Sequence, residues 1–402
     1  MTDTYEITTG AHFLYLDHEN RTWIFSRIIM DHPLEEKLLQ KAADDMLHAM
    51  PFLAVRTEKS EEGDRYVLRA NPAPFVVRAA SAADFPHKHG ENGYLLSVAY
   101  DDTALLVEVS HALTDGFGVS VILQYLVTRY FSYLYESDPG PAEVFNKAFP
   151  YDYQDPYSFI RIPDNRYEFR FPEIKYFQDD EIDGGRIHRC CLLCDDSRIR
   201  QVAEEAEGSY SGLIAGALGS VLMDMKPEME SVIIHSPINM RSLLGCKHTL
   251  RNCTYGMRYV FPKKFQKYSF HQRLSMLKGM LYIQLSEEYC LNRFAENYFW
   301  LESFRKAASI EEKKRFLREN MMFSPFPTVS VIGNISFGKW DGHVSSVETY
   351  LDVIGNAGII MVAQQFQDRC FLNITSSVRD ESWVETFCRK LRENEIECRR
   401  IV

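Results

Sequence analysis

The apolar run Ala104-Leu105-Leu106-Val107-Glu108-Val109 stops at Ser110-His111-Ala112-Leu113-Thr114-Asp115-Gly116, and a second apolar run follows from Gly118 to Tyr135. The first run has the composition of a buried strand. The second is apolar nearly all round (Val121, Ile122, Leu126, Val127, Tyr130, Phe131), which predicts a helix packed on every side. A histidine is therefore expected at the end of a buried strand, on a tight turn that Gly116 and Gly118 allow. Asp115 falls near the helix start, where a carboxylate can accept from free backbone N–H groups. Four residues beyond His111 on such a turn, it should point away from the imidazole and serve the scaffold.

The chain has 402 residues, which suits two domains of about 200. Residues 136 to 182 concentrate Pro139, Pro141, Pro150, Pro156, Pro163 and Pro172 among aromatics and acids. This shift places the linker there, giving units 1–182 and 183–402. The net charge of −11 and the lack of any Lys/Arg block argue against nucleic acid as a partner. The run Gly212 to Met223 stops at Asp224, too short for a membrane span. With no signal-like N-terminus, the expectation is a soluble, cytoplasmic protein. Nine cysteines without regular spacing do not form a disulfide framework. Cys190, Cys191 and Cys194 share one predicted strand, so adjacent thiols face opposite sides and cannot converge on a metal. No metal site is expected, and His12, His18, His87 and His89 read as loop residues without a role.

Trp23–Met30 is rich in β-branched and aromatic residues and reads as a strand, followed by a helix starting at Asp31-His32-Pro33. Strands are expected at Tyr66–Leu68, Tyr94–Tyr100 and Ile187–Leu193. Ser209 reads as the N-cap of a helix over Tyr210–Met223. The strand Ser231–Ser236 leads into Pro237-Ile238-Asn239-Met240-Arg241. Helices follow at Ser269–Ser286 and Arg293–Lys306. Strands return at Thr328–Phe337, Val347–Val353, Gly358–Gln364 and Phe371–Thr375, and Glu381–Glu393 closes the chain as a helix. No Gly-x-Ser-x-Gly elbow or Gly-x-Gly-x-x-Gly loop occurs, which gives no support to a hydrolase or dinucleotide fold.

The pattern His111-x-x-x-Asp115-Gly116 resembles the active-site signature of the chloramphenicol acetyltransferase-like superfamily. That group includes plant BAHD acyltransferases, peptide-synthetase condensation domains, and alcohol and mycolipid acyltransferases. Other segments resemble it in the same order. Pro51-Phe52-Leu53-Ala54-Val55-Arg56 follows the first helix. Asn239-Met240-Arg241 with Thr249-Leu250-Arg251-Asn252 resembles the segment whose arginine pairs with the motif's aspartate. Thr328-Val329-Ser330-Val331-Ile332-Gly333-Asn334 resembles a strand of the bacterial alcohol acyltransferase-type members, to which the likeness is nearest. Condensation domains carry two adjacent histidines where this chain has Ser110-His111.

The resemblance implies a mixed α/β fold of two chloramphenicol acetyltransferase-like subdomains, each a mixed sheet flanked by helices, with a tunnel between them. It implies acyl transfer from a thioester, with acyl-CoA as co-substrate and no permanently bound cofactor, to a small alcohol or amine. Imidazole titrates near neutrality, so His111 suits the general base. Asp115, Gly116 and Arg241 become structural at the active site. Ser330, Thr328, Asn334 and Asn252 become candidates for oxyanion or substrate contacts. Two alternatives stay open: an acyl or peptidyl carrier protein as donor, or a catalytically idle binding module.

Overall fold

The computed structural model describes residues 4–6, 22–81, 85–86, 90–137, 151–159, 176–178, 180–183, 186–320, 326–353 and 357–401. Most of the predicted linker, together with His12, His18, His87 and His89, lies outside these residues. In the first half the strands are Thr4–Glu6 (β1), Trp23–Met30 (β2), Val55–Lys59 (β3), Tyr66–Ala70 (β4), Arg78–Ala79 (β5), Leu96–Asp101 (β6) and Ala104–Ser110 (β7). The second half adds His188–Asp195 (β8), Ser231–Asn239 (β9), Thr254–Pro262 (β10), Thr328–Asn334 (β11) and Val344–Leu351 (β12). Ile359–Phe366 (β13), Arg369–Ser376 (β14) and Cys398–Arg400 (β15) complete it.

Three sheets result, with strand orders β12-β2-β7-β6-β5, β10-β9-β11-β13-β14-β8-β15, and the small β1-β4-β3. β7 is buried at every position, as its unbroken apolar run requires. β12 comes from the second half yet pairs antiparallel with β2 of the first, Tyr350 opposite Phe25 and Glu348 opposite Arg27. The division at residue 182 is therefore crossed: a strand of the expected 183–402 unit covers the open edge of the first sheet. Arg27 grips Glu348 with both carboxylate oxygens at 2.9 and 2.8 Å.

β8 lies between two cores. Cys191 packs with the first-half core, whereas Cys190 and Cys194 pack with the second, as strand alternation demands. All nine cysteines are buried and free of disulfides. The helix Gly116–Leu134 buries Val119, Ile122, Leu126 and Phe131, and Glu36–Ala49 buries Leu39, Ala43 and Met46. Ser209 caps the helix Tyr210–Met225, its hydroxyl accepting from Gly212 N at 3.1 Å.

The first helix begins at Glu36, not at Asp31. Tertiary contacts explain the delay: Asp31 N donates to His343 O at 3.0 Å and Leu34 N to Asp102 O at 2.9 Å. These bonds tie residues 31–34 to the neighbouring turns, and His32, standing before Pro33, is biased away from helical backbone. β3, β10, β15 and the helix Ile310–Asn320 have no counterpart in the sequence reading. Among the described residues no helix is long and apolar enough to cross a membrane, and no group of three or more His, Cys, Asp or Glu could hold a metal ion.

Candidate active site

The turn after β7 is bonded at nearly every backbone position. Ser110 N donates to Leu95 O at 2.8 Å, His111 N to Thr22 O at 2.9 Å and Leu113 N to Ser110 O at 2.9 Å. Ser110 itself is buried, its hydroxyl accepting from Ala112 N at 3.3 Å. His111 Nδ1 lies 2.8 Å from Thr114 O. A carbonyl oxygen only accepts, so Nδ1 carries the proton, and in the neutral ring Nε2 holds the lone pair. Burial lowers the imidazole's pKa below its ordinary value, against the opposing pull of the Thr114 carbonyl and the Asp115 charge. The ring is therefore neutral at pH 7.

Asp115 is the N-cap of Gly116–Leu134, accepting from Gly118 N at 3.1 Å. Its two oxygens also take Arg241 Nη1 at 2.9 Å and Nη2 at 3.0 Å, and Cys253 N at 2.9 Å. Both side chains of the pair are almost fully buried, at 2% and 3% exposure. Arg241 fills its remaining donors on Thr249 O (2.7 Å), Arg251 O (2.7 Å) and Asn239 Oδ1 (3.2 Å), and its guanidinium lies 4.4 Å from the Phe117 ring centroid. A buried ion pair is stable only when such bonds satisfy both ions. Thr114 adds a second link between the halves, its hydroxyl donating to Leu250 O at 2.6 Å.

Gly116 and Gly118 have helical backbones; neither has a positive φ. They supply room rather than the conformational freedom expected of them. A Cβ on Gly118 would stand 1.8 Å from Thr114 Oγ1 and 3.1 Å from Leu250 O. One on Gly116 would stand 3.1 Å from Ile332 Cγ1.

His111 lines a cleft between the two large sheets, enclosing about 660 Å³ of space, part of it open to solvent. Its walls bring together His111, Asp115, Gly116, Arg241 and Ser330 of the residues singled out from the sequence. Thr328, Asn334 and Asn252 are not among the lining residues. Thr328 is buried at the start of β11 and its hydroxyl donates to Phe326 O at 3.2 Å. Asn334 is exposed at the far end of that strand. Asn252 accepts from Thr254 N and Thr254 Oγ1 at 3.2 and 2.8 Å, so it positions Thr254, which does reach the cleft. Phe117, Ile332, Tyr350 and Ile24 form apolar wall that the sequence reading missed. Tyr350 could not be found that way, because only the crossing of β12 into the first sheet brings it opposite β2.

No family model and no curated protein matches the sequence. Solved structures do match over nearly the whole chain. Polyketide synthase associated protein 5 from Mycobacterium tuberculosis superposes with a TM-score of 0.65 at 13% identity, over 96% of this chain and 98% of that one. F. sporotrichioides TRI101, complexed with coenzyme A and T-2, gives 0.63 at 12% identity, over 99% and 100%. The first condensation domain of the calcium-dependent antibiotic synthetase gives 0.65 at 13% identity, over 97% and 96%. The fold is that of the chloramphenicol acetyltransferase-like and condensation-domain proteins. At such identities the likeness is one of architecture: in this fold the present chain sets its histidine turn against the second sheet through Asp115, Thr114 and their partners.

Proposed function

We propose that this chain is an acyltransferase that moves an acyl group from a coenzyme A thioester to a hydroxyl or amine, with His111 as general base. The reading rests on the state of His111: a neutral imidazole, its Nδ1–H held by Thr114 O, in the wall of a largely apolar cleft. The shared architecture of TRI101 complexed with coenzyme A, and of condensation domains, supports it. Nε2 takes the acceptor's proton as its oxygen or nitrogen attacks the thioester carbonyl. The tetrahedral oxyanion then collapses, the C–S bond breaks, and the imidazolium returns the proton to the leaving thiolate. Ser330 is the cleft-lining candidate for donating to the oxyanion, a contact worth about 3–4 kcal/mol in comparable sites. Asp115 and Arg241 hold the turn and take no proton. Ser110 occupies the place of a condensation domain's first histidine, and its hydroxyl serves the turn, which favours a free coenzyme A donor over a carrier protein.

The test is thiol release from a series of acyl-CoAs with panels of alcohols and amines. His111→Ala should lower turnover by about 10²–10⁴-fold while keeping the fold and donor binding. Turnover near the wild-type level would end the base assignment. The kcat/KM profile should rise with pH through a value below the ordinary histidine range and stay flat above it, because burial favours the neutral ring.

A further inference from the structure

Between Glu230 and Glu287 the chain carries nine Lys or Arg and not one Asp or Glu, although its net charge is −11. Much of this stretch surfaces in one place, the turn Lys263–Lys267 and the helix Phe270–Gln284 that follows. Lys263, Lys264, Lys267 and Lys278 make no ion pair among the described residues. Arg273, by contrast, turns inward to Ser220 Oγ at 2.9 Å. The first turn of the helix holds no acid, so three lysines sit where the helix dipole is least hospitable to cations. Folding alone does not favour that arrangement.

The same segment concentrates exposed apolar side chains. Among the described residues, five of the eight large apolar side chains most open to solvent are Tyr268, Met276, Tyr282, Ile283 and Leu285, with Tyr282 at 73% and Ile283 at 66%. The helix already buries Leu274 and Leu277 on its inner face. Helical spacing puts Met276, Gly279 and Ile283 together on the outer one, beside Tyr282. Gly279 has no atom near its missing Cβ. The helix is held at both ends. Ser269 and Gln272 form a capping box, and the Gln284 side chain bonds Arg258 N and O at 2.9 and 2.7 Å. The result is a strip about 20 Å long, anchored at both ends, lysine-rich at one end and apolar at the other.

We propose that this face docks on an anionic lipid bilayer, with Tyr282 and Ile283 entering the headgroup region and Lys263, Lys264, Lys267 and Lys278 lying over lipid anions. The cation type selects lipid over protein. Protein interfaces use Arg and are depleted of Lys, whereas lipid-facing surfaces place Lys around inserted apolar side chains. The inference does not depend on the acyltransferase reading.

The test is co-sedimentation of the full chain with vesicles of phosphatidylcholine alone or mixed with phosphatidylserine, at low and raised salt. Binding is expected to the mixed vesicles only, and to fall as salt rises. Each neutralised lysine should weaken it about fivefold, so Lys264→Gln with Lys267→Gln should lose about 25-fold. Tyr282→Ser with Ile283→Ser should lose tenfold or more. All four positions are exposed, and circular dichroism checks that the fold survives. Failure of the wild-type chain to bind phosphatidylserine vesicles overturns the proposal, as does binding that both variants retain. Concentration-dependent self-association in sedimentation velocity, abolished by the Tyr282/Ile283 variant, would assign the face to a second copy instead.

Discussion

Removing one side of the Asp115–Arg241 pair should cost unequal amounts depending on which side goes. Asp115→Ala strands a guanidinium at 3% exposure that keeps only three uncharged acceptors, Thr249 O, Arg251 O and Asn239 Oδ1. It also takes the acceptor from Gly118 N and Cys253 N. Breaking a buried pair from one side costs about 3–5 kcal/mol, and losing an N-cap about 1 kcal/mol. A protein's whole stability is about 5–15 kcal/mol, so this variant should be close to unfolding. Arg241→Met strands a carboxylate instead, which keeps its two backbone donors. A stranded carboxyl can also take up a proton, whereas a guanidinium cannot lose one. Arg241→Met should therefore cost less, and its deficit against wild type should shrink between pH 7 and pH 5 while that of Asp115→Ala does not. The double variant removes both charges, so its loss should fall short of the sum by about 2 kcal/mol or more. Urea unfolding followed by circular dichroism, run as a double-mutant cycle at both pH values, measures all of this. Additivity within about 0.5 kcal/mol, or an Arg241→Met deficit that ignores pH, would refute the reasoning.

Gly118→Ala should destabilise by about 3 kcal/mol or more, because its Cβ overlaps Thr114 Oγ1, while Gly116→Ala meets only the flexible Ile332 and gains helix propensity, staying within about 1 kcal/mol of wild type. Thermal unfolding with the order reversed would contradict the roles given to the two glycines. Burial, with Arg258 and Arg293 close by, pushes the His235 imidazole down to about 4. The unfolded chain takes up this proton near pH 6.5 and the folded one does not, so His235 costs stability progressively from pH 6.5 to 4, up to roughly 3 kcal/mol. His235→Gln should flatten that acid loss in urea midpoints, and parallel curves would count against it. Arg27→Ala leaves Glu348 buried at 2% exposure and should cost about 3 kcal/mol. Faster hydrogen exchange should follow along β12, and protection equal to wild type there would show that the pair does not seat the strand.

Local signals told of local structure. Asp115 at a helix start, Ser209 as an N-cap, and the cysteines dividing across β8 all depend on residues close in sequence, and each was readable. The helix start at Asp31 was not, because its competitors are His343 and Asp102. β10 had a signal that went unread: Tyr255, Met257, Tyr259 and Phe261 alternate with less buried neighbours along the whole strand. The candidate site divides the same way. The histidine turn was legible as a unit, and Arg241 followed from a resemblance in the order of segments. Thr328 and Ser330 looked equivalent, two residues apart on one strand. What separates them is where the cleft meets the strand, at Ser330 and not at Thr328, and a carbonyl at Phe326 that takes the Thr328 hydroxyl. Neither is written in residue type.

The geometry at His111 belongs to both halves of the chain. Thr114 O holds Nδ1, and Thr114 Oγ1 is tied to Leu250 O, 136 residues away. Leu113 O accepts from the Tyr153 hydroxyl at 2.9 Å. Asp115 reaches Arg241 and Cys253 N, 126 and 138 residues on. Three consecutive residues are thus anchored to three separate segments, and β12 closes the cleft from the other side. A turn of this length at a strand end could otherwise relax, since an isolated loop has little to oppose it. A short motif therefore suffices in the sequence, because the orientation of its histidine is set by how the second half seats on the first. By the same reasoning, a substitution at Thr249 or Leu250 that shifts their carbonyls acts on the imidazole's position without touching it.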